Sequence, residues 1–362
     1  MLDMNNKPVA PVIVGRGMAG QAILKSIAIV SQTDPELNIL PVRIVQRGEA
    51  PGSRLFDRAE NVLFIANPSG LHAQCIVEGA RSGFAVIAAD KPVCVRPEEM
   101  PMLRGIQIPV TVFHGYRAMW GTQTIKRMID SGDLGEVFSF ESRYWQSSSA
   151  QMALSGAPEK RPWKNDLKLN GPSDTLVDLG SHVADICLFL MGEKPLESRC
   201  WISYQNSAAP YRDTHVHLLV RFPGSRRAIA SISKTVHGAT NNFEYTVIGT
   251  RGAATWRFLQ PDEVELGTGG RTSILRRQGP AESSGSSPFH GLGWLEGYAE
   301  ITRQTLRRAS GLDFSPVPTL EESLDAMEVL LNTADSGQSP VASGSGSVTG
   351  SVGIGIGRES DS

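Results

Sequence analysis

Three short stretches of this chain carry residues whose types and order suit chemistry at a carbon–oxygen bond. Gly15-Arg16-Gly17-Met18-Ala19-Gly20 is a glycine-rich turn, Lys91-Pro92 closes an apolar run, and Asp178-Leu179-Gly180-Ser181-His182 sets an acid and an imidazole four residues apart. A glycine turn between a strand and a helix aims free N–H groups at a pyrophosphate. A lysine beside it holds a substrate oxygen and stabilises developing alkoxide charge. An imidazole exchanges a proton near neutral pH, and a neighbouring carboxylate orients the imidazole or a substrate hydroxyl. Together these groups suit the movement of a hydride and a proton to or from a carbinol carbon. Each also has a plainer reading: an ordinary turn, a solvated lysine, and a helix histidine with acids placed by the macrodipole. Their order along one chain makes the case.

The glycines divide the labour of a dinucleotide cradle. Gly15 allows the tight turn, Gly17 the close approach of backbone to phosphate, and Gly20 the packing of helix on sheet, while Arg16, Met18 and Ala19 complete the loop. The tip of the second strand reads Gln46-Arg47-Gly48. An arginine there suits a ribose 2′-phosphate, which favours NADP with NAD as the alternative; an exposed loop arginine is the plainer reading. Asn67-Pro68-Ser69 follows the third strand, where loops line the ligand crevice, so Asn67 and Pro68 are candidates to meet the cofactor. His72 opens the next helix, either near the nicotinamide or as a capping or core histidine. Lys91 points to the same crevice from the end of another strand, and Pro92 fixes the backbone behind it; X–Pro bonds are the ones that adopt cis.

The elements that must position these residues follow from periodicity. Val9–Val14, Ile39–Gln46, Val62–Ala66, Ala85–Ala89 and Val110–Phe113 read as strands, with helices at Ala19–Val30 and Leu71–Ser82 between them. That alternation predicts a parallel sheet with crossovers. Between Gln46 and Asn61 there is room only for a loop, where a full mononucleotide-binding half has a helix, so the Rossmann-like sheet is truncated on its adenine side. A helix at Gly121–Ser131 precedes a change of texture. Val137–Tyr144, Glu197–Tyr204, His215–Phe222, Ala228–Lys234, Phe243–Gly249 and Ala253–Phe258 alternate like strands, interrupted by one helix from Asp174 to Met191. Late helices are expected at Leu292–Ala309 and at Thr319–Thr333, the second opened by capping-box spacing between Thr319 and Glu322. The fold class is therefore α/β: a nucleotide-binding domain over 1–115, an α+β domain with a large, mostly antiparallel open sheet over 116–335, and a disordered Ser/Gly-rich tail over 336–362.

Bulk properties narrow the function. A formal net charge of -2 offers no global field for nucleic acid or a membrane surface. No apolar run is long enough for a transmembrane helix, and the first residues do not read as a secretory signal. Cys75, Cys94, Cys187 and Cys200 show no metal-ligand spacing, so no metal is expected, and a reducing, cytoplasmic compartment fits them.

The combination resembles the glucose-fructose oxidoreductase / inositol dehydrogenase / MocA family of nicotinamide-dependent oxidoreductases, from about Val9 to about Asp335. The resemblance rests on Gly15–Gly20, Asn67-Pro68 with His72, Asp90-Lys91-Pro92, Tyr116-Arg117, the run Ile129–Val137, Trp163, and the run from Asp178 to Asp185. It implies that Lys91, Asp178 and His182 are the catalytic group, with His182 taking the hydroxyl proton, Lys91 holding the oxygen and Asp178 orienting the substrate. It implies a sugar, cyclitol or similar polyol as substrate, and a homodimer or homotetramer formed through the exposed sheet. Arg117, Trp145, Trp163 and Lys164 are candidates to line the pocket. Three departures stand out: Asp90 replaces the family's usual glutamate, Gly171-Pro172-Ser173 replaces a glycine triplet, and the region before Asn61 is short. A non-catalytic nucleotide-binding sensor or scaffold is the competing reading, and glycoside cleavage through transient oxidation a third.

Overall fold

The computed structural model describes residues 7–155, 162–204, 212–278 and 294–335. The expected Ser/Gly-rich tail lies outside the described residues.

The first sheet is built from strands β1 (Val9–Val14), β2 (Arg43–Val45), β3 (Glu60–Ile65), β4 (Val86–Ala89) and β5 (Val110–Val112). Their order is β2-β1-β3-β4-β5, all parallel. Helices α1 (Met18–Thr33), α2 (His72–Arg81) and α3 (Met100–Arg104) make the crossovers. The expected eight-residue second strand is interrupted. Asn38 and Leu40 bond the backbone of Val9, and pairing with β1 resumes only at Arg43. Pro41 lies between and has no N–H to give the ladder. Beyond β2 a single 3₁₀ turn, Pro51–Arg54, takes the place of a helix. Arg43 secures that segment by donating to the Leu55 carbonyl at 2.6 Å and lying 3.4 Å over the Phe56 ring. The shortened edge read from the sequence is thus a five-stranded sheet in which, among the described residues, no strand pairs outside β2.

The second sheet has nine strands. After α4 (Trp120–Asp130) come β6 (Val137–Trp145), α5 (Ser148–Ser155), α6 (Leu167–Asn170), α7 (Thr175–Asp178) and α8 (Gly180–Met191). There follow β7 (Glu197–Ser203), β8 (His215–Arg221), β9 (Arg227–Ser233), β10 (Asn242–Gly249), β11 (Gly252–Arg257), β12 (Gln260–Thr268) and β13 (Arg271–Arg276). The order is β13-β12-β11-β10-β6-β9-β8-β7-β14, where β14 is Ala334–Asp335. It is antiparallel except where β6 meets β9 and β7 meets β14. Alternation buries Val216, Leu218 and Val220 of β8 and leaves His217 and Arg221 outside.

The β12–β13 hairpin was not expected, because Pro261 and the acids around it mask the alternation. Its signal was the two-residue turn Gly269-Gly270, whose positive φ angles of 55° and 76° suit a tight hairpin.

Two late helices tie the sheets together. α9 (Trp294–Ser310) packs against α1 and puts Tyr298, Ile301 and Leu306 into the core under Val9, Ile13, Phe64 and Phe113. α10 (Leu320–Leu331) packs on α8, and its expected capping box is present: Thr319 Oγ1 accepts from the Glu322 N–H, and the Glu322 carboxylate accepts from the Thr319 N–H.

Candidate functional site

The carboxyl ends of the parallel strands open into a cleft of about 620 Å³ shared with residues of the second sheet and its helices. Its walls bring together Gly15–Ala19, Ala66–Ser69, Asp90 and Lys91 from the first sheet with Tyr144, Asp178, His182 and Lys234 from the second.

At one end lies the glycine turn. Gly15 adopts φ 107°, and a Cβ there would sit 2.2 Å from the Ala66 carbonyl, so β1 and β3 could not end side by side with any larger residue. A Cβ on Gly20 would meet the Gly15 carbonyl at 2.5 Å, whereas one on Gly17 would point into open space. The N-terminus of α1 has no side-chain cap and no acid in its first turn. Its N–H groups and dipole therefore face the cleft uncompensated, the arrangement that receives phosphate. The Asn67 side chain adds a buried Oδ1 that accepts no hydrogen bond among the described residues. Uncapped helix end, open Gly17 and orphaned acceptor together fit a dinucleotide.

Beside β2 the surface is charged and exposed. Arg16 donates to the Gln46 side chain at 2.6 Å. The Gln46 N–H donates to Glu49 at 2.8 Å, and Glu49 in turn is gripped by Arg54. The Arg54 hydrogen bond and the Gln46 N–H hold the Glu49 carboxyl below the ordinary carboxylate range. Arg47 is exposed at this edge, outside the walls of the cleft.

At the other end Lys91 Nζ donates to the Asp178 carbonyl at 2.8 Å and to its Oδ1 at 2.9 Å. This explains a departure from the expected single helix over 174–191. The Asp178 carbonyl would ordinarily accept from the His182 N–H. Here it accepts from Lys91, and the His182 N–H turns to the Leu179 carbonyl at 3.2 Å. The helix breaks at Leu179 into α7 and α8, with Asp178 on the last turn of one and His182 in the first turn of the next. Both side chains still line the cleft. The His182 ring packs edge-on to Tyr116 at 4.8 Å, and Tyr116 shares a hydrogen bond of 2.9 Å with Tyr144.

Sequence reasoning missed Lys234. It is 3% exposed and bridges Asp178 Oδ2 at 2.8 Å and Asp174 Oδ1 at 2.9 Å. Lys164 adds a third ammonium, 3.5 Å from Asp178 Oδ2. Burial works against ionisation of Asp178, but the charges of Lys234, Lys91 and Lys164 outweigh it and hold the carboxyl well below its usual range. Burial likewise opposes the charge on Lys234, and Asp174 and Asp178 overcome it, so its pKa is raised. Only one signal pointed to Lys234: a lysine at the end of an otherwise apolar strand, where alternation turns inward. Tyr298 was also missed; its hydroxyl donates to Asp90 Oδ1 at 2.8 Å. Burial pushes the Asp90 carboxyl up, against the pull of Lys91 and His72.

Other residues singled out in the sequence sit behind the cleft. His72 is buried, its ring nitrogens 2.7 Å from the Pro92 carbonyl and 2.8 Å from the Asn67 carbonyl. It ties together the loops that carry Asn67 and Lys91 and does not line the cleft. Pro92 is buried after a cis Lys91–Pro92 bond. Arg117 is not brought to the cleft; it is 6% exposed and paired with Asp185 and Glu322. Trp145 donates from Nε1 to Ser231 at 3.1 Å and lies outside the walls, whereas Trp163 and Lys164 are within them.

Comparison with known proteins agrees with this architecture. Residues 122–255 match the GFO/IDH/MocA C-terminal domain family. The chain is 24% identical over 231 residues to levoglucosan dehydrogenase of Pseudarthrobacter phenanthrenivorans, covering 57% of each chain. It is 27% identical over 140 residues to a scyllo-inositol 2-dehydrogenase (NADP(+)) of Bacillus subtilis, covering 38% of this chain and 36% of that one. The alignments thus span little more than half the length of these curated relatives at most. Among solved structures, an inositol dehydrogenase homolog of Azotobacter vinelandii complexed with NAD+ superposes with a TM-score of 0.73 at 19% identity, over 90% of this chain and 95% of that one. A levoglucosan dehydrogenase in complex with NADH and levoglucosan gives 0.72 at 21% identity, over 89% and 95%. The stretch from 122 to 255 is thus similar to the GFO/IDH/MocA C-terminal domain, and the fold of the chain is shared with these solved structures along nine-tenths of its length.

Proposed function

We propose that the protein is a nicotinamide-dependent oxidoreductase acting on a secondary alcohol or ketone of a sugar, cyclitol or related polyol. The observation that carries this reading is the convergence of the glycine turn and of Lys91, Asp178 and His182 on one cleft. A sensor would need the first and not the second. The bound nicotinamide would supply the hydride acceptor or donor. Gly15–Ala19 and Asn67 would hold the dinucleotide, and the α1 N-terminus would face its phosphates. Lys91, oriented by Asp178, would hold the substrate oxygen and stabilise negative charge on it. His182 would accept the hydroxyl proton in the oxidative direction. Trp163 would offer an aromatic face to the ring of a polyol. We favour NADP, with NAD as the alternative, because the acid nearest the tip of β2, Glu49, is engaged by Arg54, whereas Arg47 is exposed there. The related names are divided on this point: the Bacillus subtilis enzyme is designated for NADP(+), and the superposed structures hold NAD+ or NADH.

The test is a titration of tryptophan fluorescence with NADPH and NADH, followed by absorbance assays with levoglucosan, myo-inositol, scyllo-inositol and glucose. Binding of either cofactor, with substrate-dependent reduction of its oxidised form, is expected. Tight binding with no turnover of any polyol in either direction would instead favour the sensor. A changed sugar product without net cofactor reduction would indicate cleavage through transient oxidation.

A further inference from the structure

The bridge built on Lys234 is unexplained by packing. Lys234 follows β9, where its N–H donates to the Thr214 carbonyl at 3.0 Å and its own carbonyl accepts from Ser149 at 3.0 Å. The backbone is therefore fixed on both sides. A methionine or leucine at this position would fill the space without the desolvation that a buried ammonium incurs, so stability alone gives no reason for a lysine. Its two partners lie one helical turn apart, Asp174 at the N-cap of α7 and Asp178 at its last position. The start of that turn is pinned as well: the Asp213 carboxylate, buried ahead of β8, accepts from the N–H groups of Asp174 and Leu176. Arg212 holds the preceding loop through the carbonyls of Gly171 and Ser173.

We propose that Lys234 is a positioning residue for the reaction: it occupies one oxygen of Asp178, so that the other is fixed on Lys91 and the carboxylate cannot serve as a proton acceptor. This assignment rests on the oxidoreductase reading above. Asp178 then has a single task, to hold Lys91 charged and aimed, and proton transfer falls to His182. The groups facing Asp178 are Lys91 beyond β4, Lys164 ahead of α6, Lys234 beyond β9, and Asp174 and His182 on either side of it in sequence. The phenols of Tyr116, Tyr144 and Tyr298 complete its surroundings. Lys234 is the most deeply buried of the three lysines.

The experiment is a carbon-13 NMR titration of the full chain labelled at the aspartate carboxyls, with the Asp178 signal assigned by its loss in Asp178→Asn. In the parent protein this signal should titrate below the ordinary carboxylate range. In Lys234→Met its midpoint should move upward. The double variant Lys234→Met/Asp174→Asn, which leaves no orphaned partner at Asp174, should show a rise as well. NADPH binding, followed by tryptophan fluorescence, should persist in both variants and so report an intact fold. With a polyol that turns over, kcat should fall while KM changes little. An unmoved Asp178 signal in the folded variants overturns the proposal, as does a moved signal with an unchanged kcat. If no polyol turns over, the oxidoreductase reading fails, and the NMR titration still decides whether Lys234 fixes Asp178.

Discussion

The edge beside β2 and the reaction end of the cleft are built from the same residue types held in opposite ways. Beside β2, Arg54 and Glu49 pair with side chains 36% and 33% exposed, and Arg16 reaches Gln46 across open surface. At the reaction end Lys91 is 12% exposed and Lys234 only 3%, and both are locked on Asp178. Exposed pairs in water contribute little and rearrange readily; buried pairs are fixed, because breaking one strands a charge in low dielectric. The contrast divides the protein into an adjustable end, which would set the preference between cofactors, and a rigid end, which would set the chemistry. Substitutions at the rigid end should cost turnover or folding, and those at the other end should change preference alone.

The largest effect expected is on turnover. Lys91→Met removes the cation that would hold the substrate oxygen while leaving Asp178 paired with Lys234. The rate should fall by about 10³, close to 4 kcal/mol of transition-state stabilisation, with NADPH affinity within a few-fold of the parent. A variant that kept a tenth of the parent rate would refute the assignment of Lys91 to the reacting oxygen. Asp178→Ala comes next and should be felt in folding as well. It leaves Lys234 buried against Asp174 alone and Lys91 without its carboxylate. Breaking a buried pair from one side costs about 3–5 kcal/mol, and about 3 is expected here because Asp178 is itself a third open to the cleft. Urea denaturation of both variants separates the two roles, since Lys91→Met should lose far less stability than Asp178→Ala.

Behind the rigid end, His114 is 1% exposed and its Nε2 lies 2.9 Å from Ser323 Oγ. Burial, with opposing help from Asp185, lowers its pKa from 6.5 to about 4. The folded state thus binds a proton less readily than the unfolded chain. Its contribution is fully present above pH 6.5 and is lost as pH falls from there towards about 4, below which it levels off. The loss amounts to about 3 kcal/mol over that range. His114→Gln keeps a donor for Ser323 and should flatten the dependence. Denaturation midpoints compared at pH 7 and pH 5 would show this, and an equal slope in parent and variant would remove His114 from the account.

The parallel sheet, the glycine turn and the cleft-facing Lys91, Asp178 and His182 were legible because each is a local pattern: an apolar run, a glycine spacing, a residue at a strand end. What stayed hidden depends on distant partners. Arg117 looked like a pocket residue until Asp185 and Glu322, from α8 and α10, were seen to enclose it. His72 read as a possible cofactor contact, but its two carbonyl partners lie five and twenty residues away. Lys234 is the clearest instance, for nothing near it in sequence shows that α7 delivers two carboxylates to its ammonium. The break at Leu179 was equally invisible, since it arises from a lysine 87 residues away taking a helix carbonyl.

The smallest predicted effect tests the adjustable end. If the surface beside β2 selects the cofactor, Arg47 would meet the 2′-phosphate and nothing else. A hydrogen bond between charged groups contributes about 1.5–3 kcal/mol, and the exposed position of Arg47 puts this one at the low end. Arg47→Ala should therefore weaken NADPH binding about tenfold, leave NADH binding within twofold, and leave the urea midpoint unchanged. The loss should shrink further at high salt, because the interaction is screened. Equal weakening of both cofactors would mean that Arg47 supports the loop and does not read the ribose. No weakening of either would shift the assignment to Arg16, which already reaches the tip of β2 through Gln46. Either of those results would leave the rigid end untouched, whereas a fall in kcat with saturating NADPH would show that the two ends are coupled and that the division drawn between them fails.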